Sequence, residues 1–275
     1  MVKYQKELSM NGSTKVSIVI VTLNTKFSFL KTVHSAIKQS YLNKEIIIVD
    51  GNSSDGTINE IKRLKKNFSK IVIDIDKGIY DAMNKGIALS TGNWILFLNS
   101  GDIFYNKKIL YEIFNKNSIR KKDVIFGDTY VVNKNMQYLV KGQNFSPNTY
   151  IMPFCHQSTL VKSSILKKYN FSLNYTYSSD FDFFKKCFEK KKIFYYLNTP
   201  ITIVEANGLS DTNRNDVYNE NIRILNKYNS TYIVIQKLYI LKLYNLIQNL
   251  CKIILPEYIK FFFLKLKYKK NLIKK

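Results

Sequence analysis

Cysteine is scarce in this sequence, and no two cysteines lie close together. The three cysteines, Cys155, Cys187 and Cys251, are widely spaced and odd in number. There is no CxxC pair and no cysteine–histidine spacing typical of zinc ligands, which argues against a disulfide scaffold and against a structural zinc site. Free cysteines suit a reducing compartment, so we expect a cytoplasmic protein.

Long hydrophobic runs are also missing. No window offers the ~18 uninterrupted apolar residues of a membrane-spanning helix, because lysines such as Lys237, Lys242 and Lys252 interrupt the most apolar part of the chain. Residues 1–14 lack the apolar centre of a secretory signal peptide. We therefore expect no signal peptide and interpret residues 1–14 as a flexible polar tail.

Acidic residues are few relative to basic ones, which leaves a net charge of +23. Such an excess indicates a polyanionic partner, and nucleic acid, anionic lipid and phosphate-bearing substrates all qualify. The excess is marked from residue 232 to 275, where ten lysines and one acid lie among leucines, isoleucines and aromatic residues. That segment contains no arginine, which argues against nucleic acid.

The C-terminal segment, residues 231–275, has the composition of helices that lie in a membrane interface. Lysines interspersed with apolar residues let one side of a helix contact anionic headgroups. We predict a basic amphipathic helical extension, peripherally associated with the inner face of the cell membrane. The alternative is a helical pair packed on the domain with a solvated lysine face.

Residues 15–230 alternate between strand and helix patterns. Short apolar, β-branched runs predict strands covered on both faces, and helical periodicity between them predicts crossovers, hence a mainly parallel sheet flanked by helices. Thr57 and Glu60 have the spacing of a capping box at one helix start. The predicted strands are Val16–Thr22, Glu45–Asp50, Ile71–Ile75 and Asn93–Asn99.

Polar or acidic residues follow each of these four strands. Ligands of open α/β sheets bind beyond the carboxyl ends of the strands, so we predict a binding site at this edge. No glycine-rich dinucleotide loop and no P-loop is present. We therefore expect the site to hold a nucleotide through side chains together with a cation. The residues at the four strand ends are Thr22 with Asn24, Asp50, Asp76 and Asp102.

Four segments taken together resemble the family 2 glycosyltransferases of the GT-A fold, of the type that assembles bacterial surface polysaccharides. They are IVIVTLN, IIIVDGNSSDGT, DKGIYDAMNKGIALSTGNWILFLNSGD and SSDFDFF, within residues 15 to 210. The resemblance implies an inverting transfer of sugar from a nucleotide donor, UDP-linked more than GDP-linked. The acceptor it implies is a hydroxyl of a lipid-linked glycan or polysaccharide, in capsule, lipopolysaccharide O-antigen or exopolysaccharide synthesis.

The resemblance also assigns the donor side of the site. Relatives often carry arginine where this chain has Met83, so a lysine, Lys85, is expected to contact the phosphates instead. Asp128 is expected to touch the donor sugar or to close a turn. The remaining expected donor contacts are Thr22 and Asn24 in the nucleotide pocket, Asp50 on the base or ribose, and Asp76, Gly78 and Asn84 beneath the nucleotide.

A departing nucleoside diphosphate carries concentrated negative charge, which Mg²⁺ or Mn²⁺ stabilises when it bridges the phosphates. Such an ion needs few protein ligands, since phosphate and water oxygens complete its shell. Asp102 matches the last position of the family's acidic cluster, whereas Asn99 and Gly101 depart from it. We expect Asp102 to bind the metal, with turn closure as the alternative, and Asn99 to bond a metal-bound water or the ribose.

Inversion requires a base on the face of the sugar opposite the leaving group. The resemblance assigns this role to Asp180, with Ser179 replacing the first acid of the family's pair and Asp182 a weaker candidate. An ordinary helix N-terminus is the structural alternative. His156 and Gln157 match a position near the acceptor in relatives, although a single histidine is often structural.

Two other functions compete with glycosyl transfer as interpretations of the sequence. A sugar-phosphate nucleotidyltransferase also uses a nucleotide and a cation, but its glycine-rich phosphate loop near the N-terminus is missing here. A catalytically impaired nucleotide-sugar-binding or scaffold protein of the same pathway is favoured by the thinned acidic positions, Asn99, Gly101 and Ser179.

Overall fold

The computed structural model describes residues 14–115, 119, 121–133, 136–206 and 208–254. Apart from Thr14, the predicted polar tail lies outside the described residues. The same holds for residues 255–275, the second half of the predicted C-terminal extension.

Within that range there are nine strands and nine helices, and the first four strands alternate with helices as the sequence pattern predicts. The strands are β1 Val16–Thr22, β2 Lys44–Asp50, β3 Lys70–Ile73, β4 Trp94–Asn99, β5 Ile103–Phe104, β6 Val124–Asn133, β7 Met136–Val140, β8 Thr159–Lys162 and β9 Phe194–Glu205. The helices are α1 Lys26–Ile37, α2 Thr57–Arg63, α3 Ile79–Leu89, α4 Ile109–Phe114, α5 Ser163–Tyr169, α6 Ser179–Glu189, α7 Leu209–Thr212, α8 Arg214–Lys227 and α9 Tyr232–Ile254. Two 3₁₀ turns, Lys65–Asn67 and His156–Ser158, complete the described elements.

All nine strands join one sheet in the order β3-β2-β1-β4-β8-β6-β9-β5, with β7 paired to β6. The half from β3 to β4 is parallel throughout, as expected for strands joined by helical crossovers. Beyond β4 the sheet is mixed, because β8 runs antiparallel to both β4 and β6 while β6 and β9 are parallel.

Apolar layers cover both faces of the parallel half. Alternate residues of β1 point to opposite sides: Val19 and Val21 join one core cluster, and Ile18 and Ile20 join the other. The first cluster includes residues of α3, α6, α8 and α9, whereas the second includes residues of α1, α2 and α4. Burial on both faces explains why the strand sequences are continuously apolar.

The contact between α3 and β1 depends on a glycine. A Cβ atom at Gly86 would meet Cγ1 of Val19 at 2.3 Å, closer than any side chain tolerates. Because Gly86 has no side chain, α3 can pack directly against β1. This packing positions the start of α3 beside the carboxyl edge of the sheet.

Two local predictions differ from the structure. The capping box at Thr57 and Glu60 is wrong: Gly56, at φ +93°, precedes α2, and no side chain caps it. Instead, Asp55 accepts a hydrogen bond from the Thr57 N–H at 3.0 Å. Strand β3 ends at Ile73, two residues earlier than predicted, and it forms the sheet edge with exposed side chains. Edge position explains the early end, since β3 has one neighbour only.

The described part of the C-terminal extension is one long helix, α9, that packs on α8. Val234 and Leu238 are buried against the domain, and Lys242 donates to Asn219 Oδ1 at 2.9 Å. The opposite face of α9 exposes large apolar side chains. None of the helices in the described ranges is long and apolar enough to cross a membrane.

Candidate active site

The predicted polar residues lie side by side at the carboxyl edge of the parallel strands. The register of β1 with β2 places Thr22 opposite Asp50, and that of β1 with β4 places Val21 opposite Asn99. Asp50 in turn lies opposite Ile73, three residues before Asp76. The strand ends are therefore level, and the four loops that follow them share one edge.

The loop after β2 is held by Asp50. This carboxylate is fully buried and accepts from both the N–H and the hydroxyl of Ser53, each at 2.7 Å. Asn24, at φ +51°, donates its N–H to Ser53 Oγ at 2.8 Å and accepts the Ser54 N–H at 2.7 Å. Thr22 shares a hydrogen bond with Thr25 at 2.8 Å. These side chains shape the two loops, and their contact with a nucleotide stays a prediction.

Asp76 lies against the loop after β2. A Cβ atom at Gly51 would come within 2.6 Å of Asp76 Oδ2, so this glycine allows the carboxylate to approach the backbone. Asp76 Oδ1 accepts the Gly78 N–H at 2.9 Å, and Gly78 begins α3 at φ +116°. Only glycine adopts this conformation readily, which explains a glycine at that position.

Two residues that were predicted to contact the sugar donor, Asn84 and Lys85, make hydrogen bonds within the protein. Asn84 donates to the Phe171 carbonyl and accepts the Phe171 N–H, both at 2.9 Å, so its amide joins α3 to the segment after α5. Lys85 donates to Asp74 Oδ2 and to the Ile75 carbonyl, both at 2.8 Å. To contact a phosphate, Lys85 would have to exchange its hydrogen bond with Asp74 for one with the phosphate. The roles of Asn84 and Lys85 in binding the sugar donor both stay predictions.

Asp102 closes the turn that follows β4 and is almost completely buried. Its Oδ2 accepts the Asn99 N–H at 3.1 Å, and its own N–H donates to the Asn99 carbonyl at 3.0 Å. Burial raises the pKa of Asp102 to about 7, the hydrogen bond from Asn99 lowers it, and the nearby carboxylate of Glu205 raises it again. Glu205 itself pairs with Lys31 at 2.6 Å.

The same turn offers oxygen ligands for a cation. No three acidic, histidine or cysteine side chains of the described residues come close enough to form a metal site by themselves. However, Oδ1 of Asn99 is buried and has no hydrogen-bond partner among those residues. Mg²⁺ and Mn²⁺ prefer oxygen ligands, and a nearby cation favours the charged form of a buried carboxylate. Asp102 and Asn99 therefore fit a cation whose other ligands come from a bound diphosphate.

Asp180 lies in the first turn of α6, and its carboxylate faces residues from distant parts of the chain. The Tyr80 hydroxyl lies 3.0 Å from Asp180 Oδ1, and Nδ1 of His156 lies 4.0 Å from Oδ2. Burial raises the pKa of Asp180 to about 6, although the Phe181 N–H and the Tyr80 hydroxyl act to lower it. A carboxylate with this pKa is charged at neutral pH and is more basic than a solvated aspartate.

His156 lies beside Asp180 and follows Cys155 in the chain. Its ring contacts Phe97 of β4 at a centroid distance of 5.3 Å, while the charge of Asp102 influences the neighbouring Cys155 thiol. Burial lowers the pKa of His156 to about 4, so the imidazole is neutral. Its Nε2 atom is buried without a hydrogen-bond partner in the described part of the chain. Gln157 accepts a hydrogen bond from the Cys155 thiol at 2.9 Å.

The other two acidic candidates, Asp182 and Asp128, accept hydrogen bonds from other groups of the chain. Lys227 donates to both carboxylate oxygens of Asp182, at 2.7 and 3.0 Å. Asp128 accepts the Gly142 N–H at 3.0 Å and the Tyr196 hydroxyl at 2.6 Å. Asp180 is thus the member of the acidic pair whose carboxylate is not neutralised by a lysine, and the donor role of Asp128 stays a prediction.

Comparison with known sequences identifies the family. The sequence model described as "Glycosyl transferase family 2" matches residues 17–191, well over half of the chain. The chain belongs to glycosyl transferase family 2. The match includes β1 to β4, the turn with Asp102, and helix α6 with Asp180.

Curated family members extend the similarity beyond the matched domain. A "PGL/p-HBAD biosynthesis glycosyltransferase" of Mycobacterium tuberculosis is 28% identical over 205 residues, which cover 71% of this chain and 79% of the relative. A "UDP-Glc:alpha-D-GlcNAc-diphosphoundecaprenol beta-1,3-glucosyltransferase" of Escherichia coli is 38% identical over 101 residues, covering 36% of this chain and 39% of the relative. The protein is therefore a glycosyltransferase.

Solved structures show the same GT-A fold. Staphylococcus aureus TarS in complex with UDP matches 77% of this chain and 64% of that chain, with a TM-score of 0.60 and 18% identity. The mannosyltransferase PcManGT of Pyrobaculum calidifontis, in complex with GDP-Man and Mn²⁺, matches 84% of this chain and 71% of that chain, with a TM-score of 0.61 and 13% identity. At these identities the likeness concerns the fold.

Sequence reasoning missed three polar residues around Asp180. Tyr80 lies within a quoted family segment but looks like a core aromatic residue, and Glu220 and Lys227 lie beyond that segment on α8. Glu220 is buried and accepts hydrogen bonds from three successive backbone N–H groups before α6. The available signal was the seven-residue spacing of Glu220 and Lys227, which places them on one face of α8.

Proposed function

We propose that this glycosyltransferase inverts the configuration of the sugar it transfers, with Asp180 as the base. The donor is a nucleoside-diphosphate sugar, UDP-linked in preference to GDP-linked, and the acceptor is a hydroxyl of a lipid-linked glycan. The observation that carries this proposal is the environment of Asp180: it is charged at neutral pH, has a raised pKa, and faces His156 and Tyr80.

The proposed reaction is a direct displacement. Asp180 takes the proton of the acceptor hydroxyl as the oxygen attacks the anomeric carbon from the face opposite the diphosphate. A new carbon–oxygen bond forms, the bond to the phosphate oxygen breaks, and the nucleoside diphosphate leaves with the bonding electrons. The proton remains on Asp180 until it passes to solvent, and the base then returns to its charged form.

Neutral His156 supports this step by orientation. An imidazole that faces a carboxylate through Nδ1 favours the tautomer with a proton on Nδ1, so Nε2 carries a lone pair. A buried acceptor of this kind is suited to a hydroxyl of the bound acceptor sugar. The Tyr80 hydroxyl holds Asp180 from the other side.

Asp102 and Asn99 are the residues that hold Mg²⁺ or Mn²⁺ in this proposal. A divalent ion supplies charge stabilisation for the departing diphosphate. The carboxylate of Asp102 and Oδ1 of Asn99, which has no hydrogen-bond partner among the described residues, would supply oxygen ligands from one turn. Asp50, Asp76 and Gly78 line the edge where the nucleoside is proposed to bind, together with Thr22 and Asn24.

The proposed substrates follow those of the relatives. The Escherichia coli relative is named for a UDP-glucose donor and an acceptor carried on diphosphoundecaprenol, and the mycobacterial relative is named for PGL/p-HBAD biosynthesis. Solved structures of TarS hold UDP or UDP-GlcNAc. We place the present enzyme in bacterial cell-surface glycan synthesis on this basis.

The C-terminal helices provide a route for a membrane-held acceptor. A cleft of about 510 Å³ opens between α8 and α9, and Tyr177, Tyr239 and Lys242 are among its lining residues. The backbone of Tyr177 is linked to the proposed base through Tyr80, whose hydroxyl contacts both the Tyr177 carbonyl and Asp180 Oδ1. The outer face of α9 exposes Ile240, Leu243 and other apolar side chains, a pattern suited to the interface of an anionic membrane. We propose that the enzyme acts at the inner membrane face.

A binding screen followed by a turnover assay tests the function. UDP, GDP and a panel of their sugars are added with and without Mn²⁺, and thermal unfolding is recorded. A ligand at a hundred times its Kd stabilises by about 2.7 kcal/mol. The selected donor is then mixed with a GlcNAc-diphosphate lipid, and nucleoside diphosphate release is measured. A UDP-sugar that stabilises the protein and is consumed with acceptor supports the proposal; absence of any stabilising nucleotide sugar contradicts it.

A further inference from the structure

Glu220 binds the turn that leads into α6. From its position on α8, the carboxylate accepts the Thr176 N–H at 2.8 Å through Oε1, and the Tyr177 and Ser178 N–H groups at 2.9 and 2.8 Å through Oε2. The side chain is buried, and these are charge-assisted hydrogen bonds, which are stronger than neutral ones. Three consecutive backbone groups are therefore fixed immediately before Asp180.

Lys227 binds the same segment on the other side of Asp180. It lies seven residues after Glu220, two turns along α8, so both side chains leave the same face of that helix. The two hydrogen bonds from Lys227 hold Asp182, and the Tyr177 carbonyl also lies 2.9 Å from the Tyr80 hydroxyl that contacts Asp180. Asp180 is thus flanked in the chain, before and after, by residues that are hydrogen-bonded to α8.

We propose that Glu220 and Lys227 are positioning residues: α8 fixes residues 176–182 at both ends, so that Asp180 points at the reacting hydroxyl. This inference rests on the proposed role of Asp180. Neither side chain touches the carboxylate oxygens of Asp180 directly. They act by fixing the backbone before it and the carboxylate of Asp182 after it.

The charge of Glu220 adds an electrostatic consequence. The groups that face Asp180 are the Tyr80 hydroxyl from α3, the His156 imidazole from the 3₁₀ turn, and Glu220 from α8. Glu220 is the negative charge in this set, and it raises the pKa of Asp180. Replacing it by glutamine removes that contribution, so the pKa of Asp180 moves down, towards the value of a solvated aspartate.

The test uses the full chain with Glu220→Gln and Lys227→Gln. Glu112→Gln is the matched control, because it makes the same substitution at an exposed residue of α4, which packs on the opposite face of the sheet from α6 and α8. Ligand-free readouts are amide hydrogen exchange over residues 176–182 and a carboxyl NMR titration of Asp180. UDP affinity by calorimetry and UDP release from the donor selected in the screen complete the set.

We expect Glu220→Gln to lower kcat by tenfold or more with UDP affinity within twofold of the wild type, and to lower the titration midpoint of Asp180. Lys227→Gln should lower kcat in the same way with a smaller loss of exchange protection, because its side chain is half exposed. If both variants match Glu112→Gln in kcat, exchange and titration, the inference is overturned. If Asp180→Asn retains turnover, the proposed base fails; loss of turnover there with wild-type behaviour at Glu220 and Lys227 refutes the positioning role alone.

Discussion

The hydroxyl of Tyr80 lies 3.0 Å from Oδ1 of Asp180, across a hundred residues of sequence. Tyr80 lies in the first turn of α3, beside the edge where the nucleotide is proposed to bind, and Asp180, the proposed base, lies in the first turn of α6. The contact thus joins the donor half of the fold to the acceptor half. Burial keeps the pKa of the Tyr80 hydroxyl well above 10, so it remains a hydrogen-bond donor at every working pH.

This contact predicts a change in pH dependence for Tyr80→Phe. A hydrogen bond to the charged form of Asp180 lowers its pKa, so its loss raises the pKa and moves the acidic limb of the rate profile to higher pH. A net hydrogen bond of about 1 kcal/mol corresponds to roughly a fivefold change in an equilibrium. Because the wild-type pKa is about 6, we expect the variant to lose about threefold more activity at pH 6 than at pH 8, measured as UDP release. An unshifted acidic limb would show that Tyr80 does not act on the base.

Asn84→Ala separates a structural role from a nucleotide contact. The amide makes two hydrogen bonds to the backbone of buried Phe171, and its removal leaves that N–H and carbonyl unsatisfied. We expect a loss of about 1–3 kcal/mol in the free energy of unfolding, measured with urea. Asn67→Ala, at an exposed asparagine with one hydrogen bond, is the control and should change little. Unchanged stability with weakened UDP binding would favour the nucleotide role instead.

Asp102→Asn tests the proposed role of Asp102 as a cation ligand. Asparagine can still accept the Asn99 N–H through its own oxygen, so the turn is expected to remain closed. We expect the increase in UDP affinity that Mn²⁺ produces in the wild type to disappear, while affinity without metal is retained, both by calorimetry. Asp211→Asn removes an exposed carboxylate as control. A Mn²⁺ effect that survives in Asp102→Asn would leave Asp102 with the turn-closing role alone.

The outer face of α9 predicts binding to anionic membranes. Ile240 and Leu243 are 66% and 59% exposed, so replacing both by glutamate should spare the fold. Apolar burial and attraction to anionic lipid both favour the wild type at the interface. We expect the double variant to lose flotation with phosphatidylserine-containing liposomes.

The control for this experiment is Leu42→Glu with Leu173→Glu, which places the same charges at residues 77% and 53% exposed elsewhere on the surface. It should float like the wild type. Equal flotation of both double variants would assign liposome binding, if any, to another part of the chain.

Most of the parallel half of the fold could be predicted from the sequence because three of its strands, β1, β2 and β4, are buried on both faces. Continuous apolar runs at Val16–Thr22 and Trp94–Asn99 fixed the strand positions, and polar residues after them marked the ligand edge. The mixed half was harder, since strand β8 is four residues long and β5 is two. Such short strands depend on neighbours distant in sequence.

The acidic residues of the site could be predicted as a set. Their individual roles could not, because those roles depend on hydrogen bonds with residues distant in sequence. Asp180 and Asp182 look equivalent in sequence, and the contact of Lys227 with Asp182 distinguishes them only in three dimensions. Likewise the family pattern does not reveal that Asn84 is engaged with Phe171 or that Glu220 binds a turn 42 to 44 residues earlier. Long-range side-chain contacts of this kind leave no periodic signal along the chain.

The central claim is that Asp180 is the base, and Asp180→Asn tests it most directly. Asparagine keeps the size of the side chain and its hydrogen bond with Tyr80 but cannot take a proton at the working pH. With the donor selected in the screen, we expect UDP affinity to stay within twofold of the wild type and turnover to fall by ~10²-fold or more. Turnover close to that of Glu112→Gln, with UDP affinity unchanged, would contradict the account.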